Sequence, residues 1–431
     1  MTTTHNTKIT INTVTSTAMT MCVLGAAFYY YEYYLRVAPS VMSAELKQTF
    51  LLGEAAFGHL AACYYYAYTP LQIPVGMMMD RFGPRRILTL ACFLCAMGTY
   101  LFASTTILLI AQLGRFLVGF GSAFAYVGVL KISNLWLPKK YFALMAGLCT
   151  ALGMLGGISG QIAMSYWVGS IGWQSTLNYA AFVGLILTAV LWIMLRDKPK
   201  QLTVTDTERS YDSTQNKLAN LKAITFSSQI WLNGLIGCLT YLPITVFAEV
   251  WAVNFLQTAG LSKQQAAVGS SLLFLGFAVG GPIWGIVSDR IQSRRIPLII
   301  GSFGAAIFMA GVIFMPTLAL IWLYLLLFLS AFFAGAEILI FAVSNDISRP
   351  SASATAIAFS NMFTMIGGMV LPWVVGMMLD KNIQIVDNVP IIQIQDYSMT
   401  LIVLPLGLVL SGILSMVLKE SYQKTPKVST Q

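Results

Sequence analysis

The amino-acid sequence predicts an all-α polytopic membrane protein, with twelve transmembrane helices in two pseudo-symmetric six-helix bundles. Three observations predict this fold. Of the 431 residues, 57% are hydrophobic and only 10% are charged, whereas an ordinary soluble domain carries about a quarter charged residues. The apolar residues gather into runs close to the ~20 that a spanning helix requires. The lysines and arginines in the intervening loops concentrate on one side when successive runs cross the membrane in alternation. A bilayer accepts apolar faces outside as well as inside, so it resolves a hydrophobic content that a soluble fold of this size could not bury.

The elements follow in chain order. Residues 1–18 are expected to be a cytoplasmic tail. They are rich in Thr and Asn and lack the basic start and short apolar core of a secretory signal. The apolar runs are 19–42, 56–79, 87–105, 107–130, 142–165, 174–195, 229–254, 264–288, 296–315, 319–344, 353–378 and 399–418. Residues 196–228 are polar and mixed in charge, and they divide the runs six and six. The organisation is therefore an N-terminal bundle (19–195), a cytoplasmic linker (196–228), a C-terminal bundle (229–418) and a second cytoplasmic tail (419–431). A shorter hydrophilic loop spans 379–398.

Orientation follows from the loops. With both termini in the cytoplasm, only Lys47, Lys263 and Lys381 of the 25 lysines and arginines face the opposite side. Arg36 and Arg115 remain inside helices. The short loops point to the inner membrane of a bacterium, with an organellar membrane as the alternative.

Other classes are excluded by what is missing or scattered. The net charge of +9 forms no dense basic stripe, so nucleic acid is not an expected partner. All six cysteines lie within apolar runs. Cys92 and Cys95 form a CxxC, but no second Cys or His cluster completes a metal site, and free Cys behaves as a small buried hydrophobe. No GxxxxGK[ST] segment is present, which argues against ATP-driven pumping. No intramembrane His/Asp/Ser cluster suggests an embedded enzyme. No cofactor is expected, and the chain reads as a monomer.

A repeated motif supports the six-plus-six division. After run two the chain reads Gly76-MMM-Asp80-Arg81-Phe82-Gly83-Pro84-Arg85-Arg86. After run eight it reads Gly285-IVS-Asp289-Arg290-IQS-Arg294-Arg295. The first copy fits the G-x-x-x-D-R-x-G-x-R-R signature of the major facilitator superfamily, and the second departs from it with Gln292 in place of a glycine. Run four carries Arg115-FLV-Gly119-F-Gly121, similar to the family's R-x-x-x-G-x-G element. Run five carries Gly147, Gly153, Gly156, Gly157 and Gly160, and resembles its glycine-rich helix. The resemblance spans nearly the whole chain. It implies a secondary transporter that works by alternating access, with the two loop motifs gating the cytoplasmic side. The glycines at 76 and 83 are expected to allow close approach and a tight turn. Those of run five suit backbone-to-backbone packing, whether static or sliding.

Charges well inside the apolar runs are few: Glu32 and Arg36 in run one, Arg115 in run four with Lys131 at its very end, Glu249 in run seven and Glu337 in run ten. Each is costly in a bilayer and should face a partner or a wet path. Runs one, four, seven and ten open four successive three-helix units, and the family resembled uses these helices to line its transport path. Glu32 and Arg36 are one helical turn apart, with Tyr29 and Tyr33 on the same face. They read either as a self-neutralising pair or as an anion-binding arginine with its counter-ion, since a guanidinium grips carboxylate or phosphate with two bonds. The candidate substrate site is Tyr29, Glu32, Tyr33, Arg36, Arg115 and Lys131. Glu32, Glu249 and Glu337 are the candidate proton carriers, since burial makes protonation of an acid accessible.

Run one also resembles the organophosphate–phosphate antiporters, in which an arginine follows tyrosines, although run seven offers Glu249 where that branch has a second arginine. A weaker likeness links Glu32 and Arg36 to oligopeptide transporters and lysosomal dipeptide carriers. The expected function is transport of a small anionic or zwitterionic solute (an amino acid, short peptide or organic acid) coupled to protons. A multidrug-type efflux carrier or a transporter-like solute sensor is the alternative.

Overall fold

The computed structural model describes residues 4–137, 142–197, 226–349, 352–386 and 389–422. Most of the 196–228 linker, with its basic residues, and the tail from residue 423 therefore lie outside the described residues. The chain divides into two compact units, residues 1–205 and 206–431.

Unit 1 begins with the 33-residue helix α1 (Thr4–Arg36), which breaks at Val37 and continues as α2 (Ala38–Val41) and α3 (Ser43–Phe50). Pro39 falls in the first turn of α2, where a missing N–H costs no hydrogen bond. Next come α4 (Glu54–Leu71) and α5 (Val75–Phe82), separated by a turn that Pro74 closes. Helix α6 (Pro84–Ser104) follows, then α7 (Leu108–Ser122) and α8 (Ala125–Trp136), which form one broken span. Helices α9 (Phe142–Ile171) and α10 (Trp173–Met194) complete the unit.

Small residues set the packing, as expected where helices gain little from hydrophobic burial and must gain it from close contact. A Cβ on Gly119 of α7 would lie 1.9 Å from the Tyr64 carbonyl oxygen of α4. On α9, Gly156 meets the Tyr30 carbonyl and Gly160 meets Val37 and Tyr34. The glycine-rich helix thus backs directly onto α1, the helix that carries Glu32 and Arg36. Cys92 and Cys95 are buried in α6, where their thiols donate to the Gly184 and Val118 carbonyls.

Unit 2 repeats the plan with local irregularities. Helix α11 (Ser228–Thr240) runs into a π-helical segment, Pro243–Trp251, and then α12 (Ala252–Thr258). Helix α13 (Lys263–Ile291) starts from a Ser262–Gln265 capping box and ends at Gln292. Helix α14 (Arg295–Phe314) comes next. Helix α15 (Leu320–Ala334) passes through a 3₁₀ turn, Gly335–Ile338, into α16 (Leu339–Ile347). Helix α17 (Ser353–Asp380), a short hairpin of β1 (Gln384–Val386) and β2 (Val389–Ile391), α18 (Ile394–Leu401) and α19 (Val403–Val417) follow. Ile236, Leu298, Leu339, Ile340, Val343 and Leu418 form its apolar core.

Among the described residues, ten helical spans are long and apolar enough to cross a membrane. Runs one and two, carried by α1 and α4, fall outside the ten. Tyrosines at 29–31, 33, 34, 64–66 and 68, with Glu32, Arg36 and His59, dilute their hydropathy. The two helices are polar for the reason that makes them interesting.

Candidate functional site

In unit 1 the site is built from two helices. Positions 29, 32, 33 and 36 recur at helical spacing on α1, and 64, 65 and 68 do so on α4. The Arg36 side chain, 2% exposed, ends among four tyrosine rings. Its guanidinium carbon lies 4.8 Å from the centroid of Tyr33, 5.2 Å from Tyr64, 5.1 Å from Tyr65 and 5.3 Å from Tyr68. Nη2 donates to the Tyr65 hydroxyl at 2.7 Å. Tyr64 in turn donates to Oε2 of the fully buried Glu32 at 3.0 Å. Tyr29 meets Tyr33 edge-on at 5.2 Å and Tyr126 of α8 at 5.4 Å. A desolvated cation gains on the order of 2 kcal/mol from an aromatic face, so the rings offset part of the cost of burying the charge.

Arg115 approaches the same place from α7. Its Nη1 and Nη2 donate to the carbonyls of Leu35 and Arg36 at 3.2 and 3.4 Å, and its guanidinium lies 5.4 Å from the Tyr64 ring. Those carbonyls are the orphan acceptors at the end of α1, where a cation also meets the negative end of the helix dipole. Arg115 thus links α7 to the end of α1, beside Arg36. Lys131 is engaged elsewhere. Its ammonium lies 2.8 Å from Oδ1 of the exposed Asp80.

The two units bury different sets of charges. Among the described residues, unit 1 buries two guanidiniums, Arg36 and Arg115, and two acids, Glu32 and Glu54, of which Glu54 is bridged to Lys47 at 2.7 Å. Unit 2 buries Glu249, within the π-helical segment, and Glu337, within the 3₁₀ turn, and no lysine or arginine is buried there among the described residues. Near Glu337, Asn233 Nδ2 donates to the Ile340 carbonyl at 2.8 Å and to Ser344 Oγ at 2.9 Å, and Ser344 contacts Ser360 Oγ at 2.7 Å.

The two loop motifs share a device that their spacing does not reveal. In unit 1, Gly83 (φ +80°) ends α5 and starts α6, and Asp197, just beyond α10, accepts from the Arg85 N–H at 2.7 Å. Arg85 donates to the Trp192 carbonyl at 3.1 and 2.7 Å. In unit 2, Glu420, just beyond α19, accepts from the N–H groups of Arg294 (2.9 Å) and Arg295 (3.3 Å) and from the Ser293 hydroxyl. Burial pushes the Glu420 carboxyl up, but these bonds and one from the Tyr422 N–H outweigh it and hold the group below the usual glutamate range. Arg294 joins Asp289 at 2.7 Å and Asp346 at 3.3 Å. Burial works against its charge, but those two partners raise its affinity for the proton. Arg81, Arg86 and Arg290 are exposed.

The close approach expected at both glycines of the first motif falls at Gly83 alone. A Cβ there would sit 2.8 Å from Asp197 Oδ1, whereas at Gly76 or Gly285 it would meet nothing within 4 Å among the described residues. Gln292 occupies the place of Gly83 in the second copy with φ 54°, so that position demands a left-handed backbone in both halves. Tyr64, Tyr65, Tyr68, Asp197, Glu420 and Thr364 were not singled out in the sequence. The Tyr64-Tyr65-x-x-Tyr68 spacing on run two is the signal that points to the first three.

SauU of Cupriavidus necator, named a probable sulfoacetate transporter, is 26% identical over 84% of this chain and 86% of its own. GudP of Bacillus subtilis, named a probable galactarate/D-glucarate transporter, is 25% identical over 80% of this chain and 82% of its own. The crystal structure of a D-xylose–proton symporter shares the fold with a TM-score of 0.74 at 17% identity, covering 94% of this chain and 99% of that one. The sequence pattern of the Major Facilitator Superfamily matches residues 21–372 and 235–427. The chain is a multi-pass membrane transporter, not an enzyme, and belongs to the Major Facilitator Superfamily.

Proposed function

We propose that this chain is a secondary active transporter that carries a small organic acid, bearing a carboxylate or sulfonate, across a bacterial inner membrane together with protons. The observation that carries the reading is the enclosed Arg36. A desolvated guanidinium beside tyrosine hydroxyls suits a ligand that carries a carboxylate or sulfonate. The names of two relatives, which refer to sulfoacetate and to sugar diacids, support the same class. In this reading Tyr29, Glu32, Tyr33 and Arg36 meet the substrate, and Glu32 is the counter-ion of Arg36 in the empty state. Arg115 positions Arg36, and Lys131 serves the gating motif through Asp80. Glu249 and Glu337 supply acids for proton coupling. Twelve helices in two bundles, with both termini cytoplasmic, give an alternating-access carrier.

The test is uptake of labelled sulfoacetate or D-glucarate into proteoliposomes. Arg36→Lys keeps the charge but loses the two-bonded fork, and uptake should fall at least tenfold. The double variant Glu32→Gln with Arg36→Gln removes both charges and should reconstitute well without transporting. Substantial uptake by the double variant would mean that the pair serves only to neutralise itself.

A further inference from the structure

A small polar island sits inside unit 2. Asn233 of α11, Ser344 of α16 and Ser360 of α17 are each buried to 0% exposure, and the three helices pack on one another. Ile236 of α11, with Ile340 and Val343 of α16, belongs to the apolar core of the unit and lies within a turn of Asn233 or Ser344. Two glycines bring α11 close to its neighbours. A Cβ on Gly234 would lie 2.8 Å from Phe363 Cβ of α17, and one on Gly237 would lie 2.5 Å from Ile340 Cδ1 and 2.6 Å from Thr364 Oγ1. All three helices belong to membrane spans, so polar groups buried here must find their partners within the protein or on a bound molecule.

The donors and acceptors of the cluster do not match. The Asn233 amide carries two hydrogens. Nδ2 lies 2.8 Å from the Ile340 carbonyl oxygen and 2.9 Å from Ser344 Oγ, which take them, and Ser360 Oγ is farther away at 3.5 Å. Reversing the amide would set Oδ1 against the Ile340 carbonyl, one acceptor against another, so the nitrogen belongs on that side. Ser344 Oγ and Ser360 Oγ are 2.7 Å apart. One hydroxyl hydrogen lies between them, and the other finds no acceptor among the described residues. Neither serine donates to a carbonyl of the preceding turn, a common resort of a helical serine. Asn233 Oδ1 accepts no hydrogen bond among the described residues either. One donor and one acceptor are left over in a single cluster.

We propose that the Asn233–Ser344–Ser360 cluster is a binding site for one water molecule, which joins α11 to α16 and α17. The water accepts the leftover serine hydrogen and donates to Asn233 Oδ1, so it satisfies both groups at once. A bare cation does not fit, because it seeks oxygen acceptors alone, and here a hydroxyl hydrogen and the amide N–H groups share the site. An apolar guest would leave both groups unpaired, at a cost to folding. Such a bridge is exchangeable, so the polar groups of the three helices can find new partners when the helices shift. The site is separate from the anion site around Arg36 in unit 1, and it stands whether or not the organic-acid reading holds.

Electron cryomicroscopy of the full chain in lipid nanodiscs, at a resolution that shows other buried waters, tests the assignment. One density peak is expected within about 3 Å of both Asn233 Oδ1 and a hydroxyl of the serine pair. No peak there overturns the proposal. Asn233→Leu removes the acceptor and fills a similar volume, and the peak should vanish; a peak that persists in this variant also overturns it. If Asn233→Leu does not fold, the wild-type density still decides. Thermal melting in graded Na+ and K+ reads the other occupant. Wild type and Asn233→Leu should respond alike to both ions. A rise in wild-type melting temperature with either ion that is lost in Asn233→Leu would assign a cation to the cluster and overturn the water site.

Discussion

Tyr65 illustrates how much of the site depends on single hydroxyls. It accepts from Arg36 Nη2, so it helps to set the direction in which the guanidinium meets a ligand anion. A hydrogen bond to a charged group is worth about 1.5–3 kcal/mol. Tyr65→Phe should therefore raise the KM for the transported acid about tenfold or more, with little change in folding, as measured by uptake at graded substrate concentration. Tyr66→Phe is the control, since Tyr66 is only partly buried and packs against His59. Equal effects from the two changes would remove Tyr65 from the site. The sequence showed Arg36 because a buried charge stands out in an apolar run, and showed Tyr29 and Tyr33 because they share its helical face. It did not show the α4 tyrosines as partners, because contact between runs one and two is a tertiary fact with no local periodicity. Arg115 was legible as a charge to be explained, yet its role at the end of α1 depends on where that helix breaks.

At the scale of elements, each half ties the start of its third long helix to the segment after its last one, through Asp197 in unit 1 and Glu420 in unit 2. In the sequence both acids look like ordinary loop charges, and only the fold returns them to the orphan N–H groups of α6 and α14. The π-helical segment and the 3₁₀ turn were equally hidden, because a change of helical register leaves no mark on composition. The cap of α14 makes a prediction about pH. Glu420 has a folded pKa below its ordinary value, so the unfolded chain takes up its proton first as acid is added. The stability it contributes is complete above the ordinary glutamate pKa of about 4.3 and is lost as pH falls through the lowered folded value. Wild type should melt higher than Glu420→Gln near neutral pH, and the gap should close at acid pH. A gap that is constant with pH would assign the contact to packing rather than to the carboxylate.

At the scale of the whole chain, ten spans satisfy apolarity and length among the described residues, and the twelve-helix reading requires α1 and α4 to cross as well. These two lie consecutively in unit 1, so removing both would leave the sidedness of every later loop unchanged. Only the short segment between them distinguishes the two topologies. Gln48, exposed at the end of α3, lies in that segment, and Arg86, also exposed, lies after α5. All six native cysteines are buried, so a single introduced cysteine should dominate labelling by a membrane-impermeant thiol reagent. Gln48→Cys should label from the outer side together with Lys381→Cys, whereas Arg86→Cys and Arg349→Cys should label only from the cytoplasmic side. Labelling of Gln48→Cys and Arg86→Cys from the same side would mean that α1 and α4 do not both cross. It would also take Glu32, Arg36 and the tyrosines around them out of a transmembrane path, and with them the anion site proposed for this chain.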